Sequence, residues 1–169
     1  GGNLALTGTA ATVSGGMWAM GGTASYISSS TGSSAGNVPW LVAAVIDRNS
    51  DVSGYKSPVQ FGNSAKFIAF YTGAGGASNF TARFLQGSDA YIKFAASAPT
   101  GKHVFWAFWD GTNCRAGYDQ IENTAAAVAK DFSASITQYV KLGDNTQMKV
   151  GAVQSVPRAG MTITDALAI

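Results

Sequence analysis

The chain has 169 residues, the length of one domain, and Asp, Glu, Lys and Arg make up only 12% of it, about half of the usual share. A net charge of +2 without a cluster of Lys or Arg argues against a nucleic-acid-binding protein, and no apolar run approaches the roughly 20 residues that span a bilayer. Low charge with abundant Gly, Ala, Ser and Thr is typical of β proteins on secreted or virion surfaces.

Alternation of apolar with small or polar residues, interrupted by turn residues, predicts strands along the whole chain. In chain order the predicted strands cover residues 3–7, 17–20, 23–29, 40–46, 59–61, 66–72, 79–85, 90–95, 103–109, 114–118, 139–142, 147–153 and 161–169. Gly21-Gly22 predicts a turn that joins residues 17–20 and 23–29 in a hairpin. Residues 122–130 fit a strand or extended loop, which we favour, or a two-turn helix because of their alanines.

The most distinctive stretch is a central hairpin around residue 110. Bulky apolar side chains occupy both odd and even positions of residues 103–109, so this strand is predicted to be buried on both faces. Asp110-Gly111 supplies the residues that tolerate positive φ in a tight turn, and the chain returns through residues 114–118. Residues 40–46 predict a second strand that is buried on both faces.

Two chemically reactive residue types occur once each. Cys114 is the only cysteine, so no internal disulfide can form, and a buried, inert thiol is expected. His103 is the only histidine, and an isolated imidazole in an apolar strand is expected to be a hydrogen-bonded histidine of the core or rim.

About a dozen short strands with turn signals between them, and no long amphipathic helix, predict an all-β fold. The expected architecture is an antiparallel two-sheet sandwich or jelly roll. Neither a repeat nor a linker divides the sequence, so residues 1–169 are predicted to form a single domain. Because the sequence begins Gly1-Gly2 without Met, we expect a mature product or an excerpt of a longer chain.

Four segments give the chain a resemblance to the laminin G-like, concanavalin A-like jelly-roll superfamily. Residues 101–119, with a Gly-Lys-His-Val start and an Asp-Gly turn, are similar to the hairpin at the centre of that fold. The other three segments are similar to its first hairpin, its second strand and its closing strands. They are, in order, Trp18–Ile27, Val38–Ile46, and Met148–Gly151 followed by Ile163–Leu167. The resemblance implies a concanavalin A/laminin G-like jelly roll that acts as a non-catalytic recognition or adhesion module with carbohydrate as its ligand.

Catalytic carboxylates are not predicted, although the superfamily also contains glucanases. A glycosidase needs two carboxylates that face the same cleft. Glu122 is the only glutamate, and Asp119 lies three residues before it, so the two would point to opposite faces of a continuous strand. The sequence therefore predicts a protein that is not an enzyme, and an unrecognised glycosidase is the weakest alternative.

Calcium is the one cofactor that the resemblance leaves open, since many laminin G-like domains hold a calcium ion at a loop rim through oxygen ligands. The candidate ligands are Asp47, Asp51, Asp144 and Asn145. No spacing singles them out, and loop aspartates commonly serve turns. Our expectation is no cofactor, with calcium as the alternative.

Aromatic and polar residues near the turn of the central hairpin form the predicted sugar-binding set. Aromatic faces hold the C–H groups of a sugar, and polar groups hold its hydroxyls. The set contains Trp109, Asp110, Asn113 and Tyr118, with Trp18 as a further candidate. Trp109 stays open between core and rim because it lies beside a turn, whereas Trp40 and Trp106 are predicted to be core.

Two functions remain open at this point. The first is an extracellular or virion-surface module that recognises a glycan or a cell-surface receptor. The second is a structural decoration or appendage protein of a virion or other surface assembly, which contacts its own copies or other structural proteins. An exposed tryptophan at a loop rim would favour the first, and an apolar interface above roughly 1,000 Å² would favour the second.

Overall fold

A computed structural model describes residues 4–7, 12–19, 26–29, 33–34, 38–48, 56–63, 65–72, 80–94, 99–123, 128–130, 132, 137–138, 140–143 and 148–168. Nearly all of the regular structure in this part of the chain is β. The strands are β1 (Leu4–Thr7), β2 (Thr12–Ser14), β3 (Met17–Ala19), β4 (Tyr26–Ser29), β5 (Ser33–Ser34), β6 (Trp40–Arg48), β7 (Lys56–Gly62), β8 (Lys66–Thr72), β9 (Phe80–Gln86), β10 (Ser88–Lys93), β11 (Gly101–Trp109), β12 (Asn113–Tyr118), β13 (Ile121–Glu122), β14 (Val128–Ala129), β15 (Thr137–Gln138), β16 (Val140–Gly143) and β17 (Met148–Pro157). A short helix, α1, covers Ile163–Leu167.

The strands form two large antiparallel sheets. The first sheet has the order β1-β4-β16-β7-β8-β9-β10. The second sheet has the order β13-β12-β11-β6-β17-β3-β2, and β14 also pairs with β12. Strands β5 and β15 form a separate two-stranded ladder. The predicted all-β, antiparallel two-sheet sandwich is confirmed.

The inner faces of the two sheets enclose the main core. Alternate residues of β9, β10 and β11 point into it, as a pleated strand requires, and bring several phenylalanine rings together. Phe105 of β11 is fully buried, with its ring centroid 4.8 Å from that of Phe80 and 5.1 Å from that of Phe94. The second sheet contributes Phe105, and the first contributes its partners, so these rings join the two layers.

The central hairpin has the predicted form. Strand β11 pairs with β12 on one side and with β6 on the other. At the turn, Asp110 Oδ1 accepts hydrogen bonds from the backbone N–H groups of Thr112 (2.9 Å) and Asn113 (2.7 Å). Gly111 has φ +109°, a conformation that side-chain-bearing residues rarely adopt. Cys114 is buried as predicted, and burial raises the pKa of its thiol.

The second sheet is buried on its outer face as well, which explains why apolar residues occupy both faces of residues 40–46 in β6 and 104–109 in β11. Leu41 and Ala43 of β6 form a second core with Trp106 and Phe108 of β11. Met161 and two residues of α1, Ile163 and Leu167, pack against this second core. The C-terminal segment therefore supplies the cover that the two-sided strands require.

The prediction of a C-terminal strand at residues 161–169 is wrong, because residues 163–167 are helical. Ile163 and Leu167 lie four residues apart, which places them on one face of a helix. At the start of the helix, Asp165 Oδ2 accepts hydrogen bonds from Thr162 N (2.7 Å) and Thr162 Oγ1 (2.9 Å). This capping satisfies backbone N–H groups that have no partner within the helix at its start. The capped helix forms in place of the strand that the short apolar pattern of residues 161–169 predicted.

The hairpin predicted at Gly21-Gly22 is also wrong. Strand β3 belongs to the second sheet and β4 to the first, so the two predicted arms do not pair, and Gly21-Gly22 lies outside the described residues. The observed hairpin joins β2 to β3 through Gly15 (φ +59°) and Gly16 (φ +74°), with Ser14 paired to Met17. The pairs Gly15-Gly16 and Gly21-Gly22 lie close together in the sequence. Glycine content alone did not show that the first pair forms the hairpin turn and that the second follows a strand whose successor is in the other sheet.

Two parts of the segment at residues 122–130 form short strands in the structure. Ile121–Glu122 and Val128–Ala129 form β13 and β14, and both pair with β12. The favoured interpretation of this segment, a strand or extended loop, is confirmed for these positions. Both strands therefore lie along β12, and residues 124–127, which include three of the alanines, lie outside the described residues.

The Asp165 carboxylate gives the C-terminal segment a predicted pH dependence. Hydrogen bonds from Thr162 N, Thr162 Oγ1 and Arg158 Nη2 lower the pKa of Asp165 from 3.8 to about 2. A lowered pKa stabilises the folded segment above pH 3.8, and this contribution is lost as the pH falls through 2. We expect an NMR titration to give a midpoint near 2 for the Asp165 carboxyl and for the Thr162 amide, and Asp165→Asn should remove the Thr162 titration. A carboxyl midpoint near 3.8 would contradict the capping geometry.

Candidate functional site

Trp109, the leading residue of the predicted sugar-binding set, is buried. Only 1% of its surface is exposed, and its ring centroid lies 5.8 Å from that of Phe132. Its indole Nε1 donates to the Lys130 carbonyl oxygen at 2.9 Å. The Lys130 ammonium in turn bonds the Ser88 carbonyl and Ser88 Oγ in the first sheet. Trp109 therefore anchors a contact between the sheets and offers no face to a sugar, which corrects its place in the predicted set.

The other residues of the predicted set do not converge on the turn either. Tyr118 pairs with Phe105, whereas Cys114 pairs with Trp109 next to the turn, so Tyr118 lies four residues along the strand from Cys114, about 13 Å at the rise of a strand. Asp110 is engaged by the amides of its own turn, and Asn113 continues into β12. Trp18 is partly buried against the main core from β3. The hairpin turn thus lacks an aromatic platform among the described residues.

His103 lies beside Tyr118 and has a structural role. A 2.7 Å hydrogen bond joins His103 Nδ1 to Asp119 Oδ2, and a 3.2 Å contact joins Nε2 to the Thr100 carbonyl oxygen. Asp119 also accepts from Val104 N and, through its carbonyl, from Trp106 Nε1. The expectation of a hydrogen-bonded histidine of the core or rim is confirmed. A shallow groove of about 440 Å³ adjoins this network, lined by Val104, Asp119, Gln120 and Ile121.

The calcium candidates gain no support from the described residues. Asp47 lies in β6 between Lys102 and Lys149 of the neighbouring strands, in register with both. Cross-strand neighbours have Cβ atoms about 5 Å apart, so two ammonium groups compete with any cation at this carboxylate. Asp51, Asp144 and Asn145 lie outside the described residues. Within the described ranges, no group of three His, Cys, Asp or Glu side chains is placed to hold a metal ion.

The outer face of the first sheet carries a different constellation, which we call the Arg83 cluster. It consists of Phe67, Tyr71, Arg83, Asp89 and Tyr91. Ala82 and Phe84 point into the core, so Arg83 between them points outward. The strand register then sets Tyr91 directly opposite Arg83.

The Arg83 guanidinium is surrounded by aromatic rings. Its Cζ atom lies 4.9 Å from the ring centroid of Tyr71, 5.1 Å from that of Phe67 and 5.8 Å from that of Tyr91. These distances are within the range of favourable cation–π contacts. The aromatic rings restrict the guanidinium to one position on the face of the sheet.

A bidentate ion pair fixes the orientation of the guanidinium. Arg83 Nε donates to Asp89 Oδ1 and Nη2 donates to Oδ2, both at 2.9 Å. The Tyr91 hydroxyl donates to Asp89 Oδ2 at 3.0 Å. The hydrogen bond from Arg83 is the main cause that lowers the pKa of Asp89, while burial and the bond to Asp89 raise the pKa of Tyr91. At neutral pH the cluster therefore holds a carboxylate, a guanidinium and a protonated phenol in fixed positions.

The cluster is accessible from solvent. Tyr91 is 36% exposed, and the side chains of Arg83 and Asp89 are 20% and 32% exposed. An aromatic ring, a donor and an acceptor thus meet at one surface position, which is the combination a sugar requires.

Sequence reasoning did not find the Arg83 cluster. The alternation in residues 79–85 and 90–95 predicts two strands, but it does not show which outward side chains of the two strands meet. The glycine at position 87 could have predicted part of the cluster, because Gly87 (φ +71°) forms the turn between β9 and β10. Counting back from that turn sets Arg83 opposite Tyr91. The contacts with Phe67 and Tyr71 depend on the pairing of β8 with β9, which the sequence did not specify.

No protein-family model and no curated protein sequence matches the chain. Solved structures do match it, and they show that the chain has a concanavalin A-like jelly-roll fold, as the resemblance implied. A structure of botulinum neurotoxin type C aligns with a TM-score of 0.70 at 8% identity, over 99% of this chain and 46% of that chain. This chain therefore spans a little under half of the toxin chain's length.

Two further similar structures are smaller proteins. A native heptameric SAP-like pentraxin from Limulus polyphemus aligns with a TM-score of 0.57 at 13% identity, over 83% of this chain and 73% of that chain. CG-16, a homodimeric agglutinin from chicken liver, aligns with a TM-score of 0.52 at 15% identity, over 78% of this chain and 99% of that chain. At such identities the likeness concerns the fold. A search of the described residues for a helix long and apolar enough to cross a bilayer found none.

Proposed function

We propose that this domain is a non-catalytic glycan-recognition module whose ligand contacts the Arg83 cluster on the outer face of the first sheet. The observation that carries the proposal is the exposed combination of the Tyr91 ring with the Arg83–Asp89 ion pair. The ring supplies an apolar face for sugar C–H groups, and the ion pair supplies charged hydrogen-bonding groups for hydroxyls.

The rigidity of the cluster supports this proposal. Binding costs conformational entropy when side chains must be ordered. In the Arg83 cluster, Arg83 and Asp89 already hold each other in a two-point contact, and the Tyr91 hydroxyl is bonded to the same carboxylate. A ligand therefore meets groups that are already oriented, which favours binding by a small polar molecule.

The similar structures support the same class of function. One describes the entry of botulinum neurotoxin type C as dependent on two ganglioside molecules, and another is a botulinum neurotoxin binding domain in complex with SialylT. CG-16 is an agglutinin. A further neurotoxin binding domain is in complex with rat synaptotagmin II, so a protein receptor is a second partner class. These likenesses support an extracellular location, which we propose for the domain.

A glycan array tests the proposal. We expect the purified, multimerised domain to bind a defined set of glycans, and we expect Tyr91→Ala to weaken that binding at least about tenfold, the loss of one aromatic contact of about 1.4 kcal/mol. Ile121→Ala is the matched control, because Ile121 is 55% exposed on the second sheet and should leave binding unchanged. Parallel arrays with calcium and with a chelator test the expectation of no cofactor against the calcium alternative.

Two outcomes would contradict the proposal. A folded domain that binds no glycan on the array would favour the alternative role in a surface assembly, which self-association by light scattering would then support. Binding that persists in Tyr91→Ala but fails in Ile121→Ala would place the site on the second sheet.

A further inference from the structure

The structure assigns a ligand class to the Arg83 cluster: we infer that it takes a neutral pyranose through two neighbouring hydroxyls and not through a carboxylate. This inference rests on the proposed function and deepens it. The observation behind it is that Arg83 and Asp89 are paired with each other at the exposed surface, so the cluster presents a donor and an acceptor together.

The remaining hydrogen-bonding capacity of the pair defines what a ligand must bring. Within the described part of the chain, Arg83 uses Nε and Nη2, so both N–H groups of Nη1 and one of Nη2 are left for a ligand. Asp89 Oδ2 accepts two bonds and Oδ1 accepts one, so Oδ1 retains one acceptor position. A matching ligand must accept from the guanidinium and donate to the carboxylate at the same time.

Neighbouring sugar hydroxyls have this dual character, since each hydroxyl both donates and accepts. One hydroxyl accepts from Arg83 Nη1 while the next donates to Asp89 Oδ1, and the pyranose C–H face lies against the Tyr91 ring. A carboxylate has no proton to donate, so it leaves the Asp89 position unsatisfied. It also brings a negative charge close to a second negative charge, which is unfavourable.

The charge of the ion pair agrees with a neutral ligand. The positive charge of Arg83 is balanced by Asp89 at 2.9 Å, so the pair itself carries no net charge to attract an anion. The nearby Lys130 ammonium, whose charge also lowers the pKa of Asp89, is bonded to the Ser88 carbonyl and Ser88 Oγ. A lone arginine on a sheet would favour acidic sugars, because its charge would be unbalanced and both bidentate edges of its guanidinium would be free for a carboxylate. Here Asp89 occupies the Nε/Nη2 edge and balances the charge.

The experiment compares sugars that differ at a single carbon. The probes are the methyl glycosides of glucose, mannose and galactose, each paired with its uronic acid counterpart, and binding is measured by NMR titration of the whole chain. We expect the best neutral glycoside to bind at least about tenfold more tightly than its uronic acid, because the uronic acid keeps the ring hydroxyls but brings a second negative charge close to Asp89. Removal of one of the two contacting hydroxyls in deoxy glycosides should cost a similar factor.

Asp89→Asn and Arg83→Lys are the discriminating variants. Asp89→Asn keeps the shape of the side chain but frees Arg83, so it should weaken neutral binding about tenfold and remove the preference over the uronic acid. Arg83→Lys keeps the positive charge but loses the two-point hydrogen bonding of the guanidinium, and it should also weaken the binding of the neutral glycoside. A thermal melt checks that both variants are folded.

The outcomes separate the inference from the function on which it rests. Equal or tighter binding of the uronic acid by the unmodified chain would overturn the inference while leaving glycan recognition intact. Neutral binding that is unchanged in Asp89→Asn would overturn it as well. A folded chain that binds none of the probes and no glycan on the array would overturn the proposed function together with the inference.

Discussion

Replacement of Phe105 by alanine should lower the free energy of unfolding by about 3–5 kcal/mol, the range for a fully buried phenylalanine. Phe105 is 0% exposed, and its ring contacts those of Phe70, Phe80 and Phe94 across the interface of the two sheets. Loss of the ring leaves a cavity that strands from both sheets must close together. The two sheets cannot easily move toward each other because the core between them is closely packed, so the cavity should collapse only in part.

Urea denaturation provides the measurement, since the midpoint shifts while the slope stays constant when only stability changes. Ile121→Ala serves again as the control, because a change at an exposed position should shift the free energy by less than about 0.5 kcal/mol. A loss below about 1 kcal/mol for Phe105→Ala would contradict the central position of this ring in the core.

Replacement of Gly117 by alanine should be the second most damaging change, with a loss of about 3 kcal/mol or more because overpacking here meets backbone as well as a side chain. A Cβ atom at Gly117 would lie under 3.0 Å from the carbonyl oxygen of Ile121 and from the indole ring of Trp106. The carbonyl belongs to the short ladder between β12 and β13, so it cannot move without loss of that pairing.

The matched control for Gly117→Ala is Gly151→Ala. A Cβ atom at Gly151 comes no closer than 3.3 Å to Val45, so a small adjustment suffices and the loss should stay below about 1.5 kcal/mol. A second readout is the indole N–H of Trp106, which donates to the Asp119 carbonyl oxygen at 3.1 Å. We expect its NMR signal to shift strongly in Gly117→Ala and not in Gly151→Ala. Equal stability of the two variants would contradict the close packing at Gly117.

The sequence predicted the features that depend on local pattern. Apolar residues on both faces of residues 103–109 required a cover on each side of the second sheet, and the structure provides both covers. The Asp110-Gly111 turn was predictable because its chemistry is local. The helix that covers the outer face of the second sheet was not predictable, because the apolar pattern of a five-residue helix is too short to distinguish from that of a strand.

Features that depend on strand pairing could not be predicted. Strands β3 and β4 belong to different sheets, but both are short, and the apolar pattern of each is compatible with a place in either sheet. The same limit applies to the site. Trp109 lies beside a turn in the sequence, but its burial depends on Phe132 and Lys130, which are distant in the chain. The Arg83 cluster likewise arises from three strands, β8, β9 and β10, whose register brings separate residues together.

The location of a bound sugar is the most direct test of glycan binding at the Arg83 cluster. We would titrate the ¹⁵N-labelled chain with the best glycan from the array and record amide shifts in NMR spectra. We expect the largest shifts at Arg83, Asp89 and Tyr91, with little change at residues 110–113 of the hairpin turn. Shifts confined to residues 110–113, with the amides of β9 and β10 unmoved, would contradict binding at the Arg83 cluster and return the site to the loop rim.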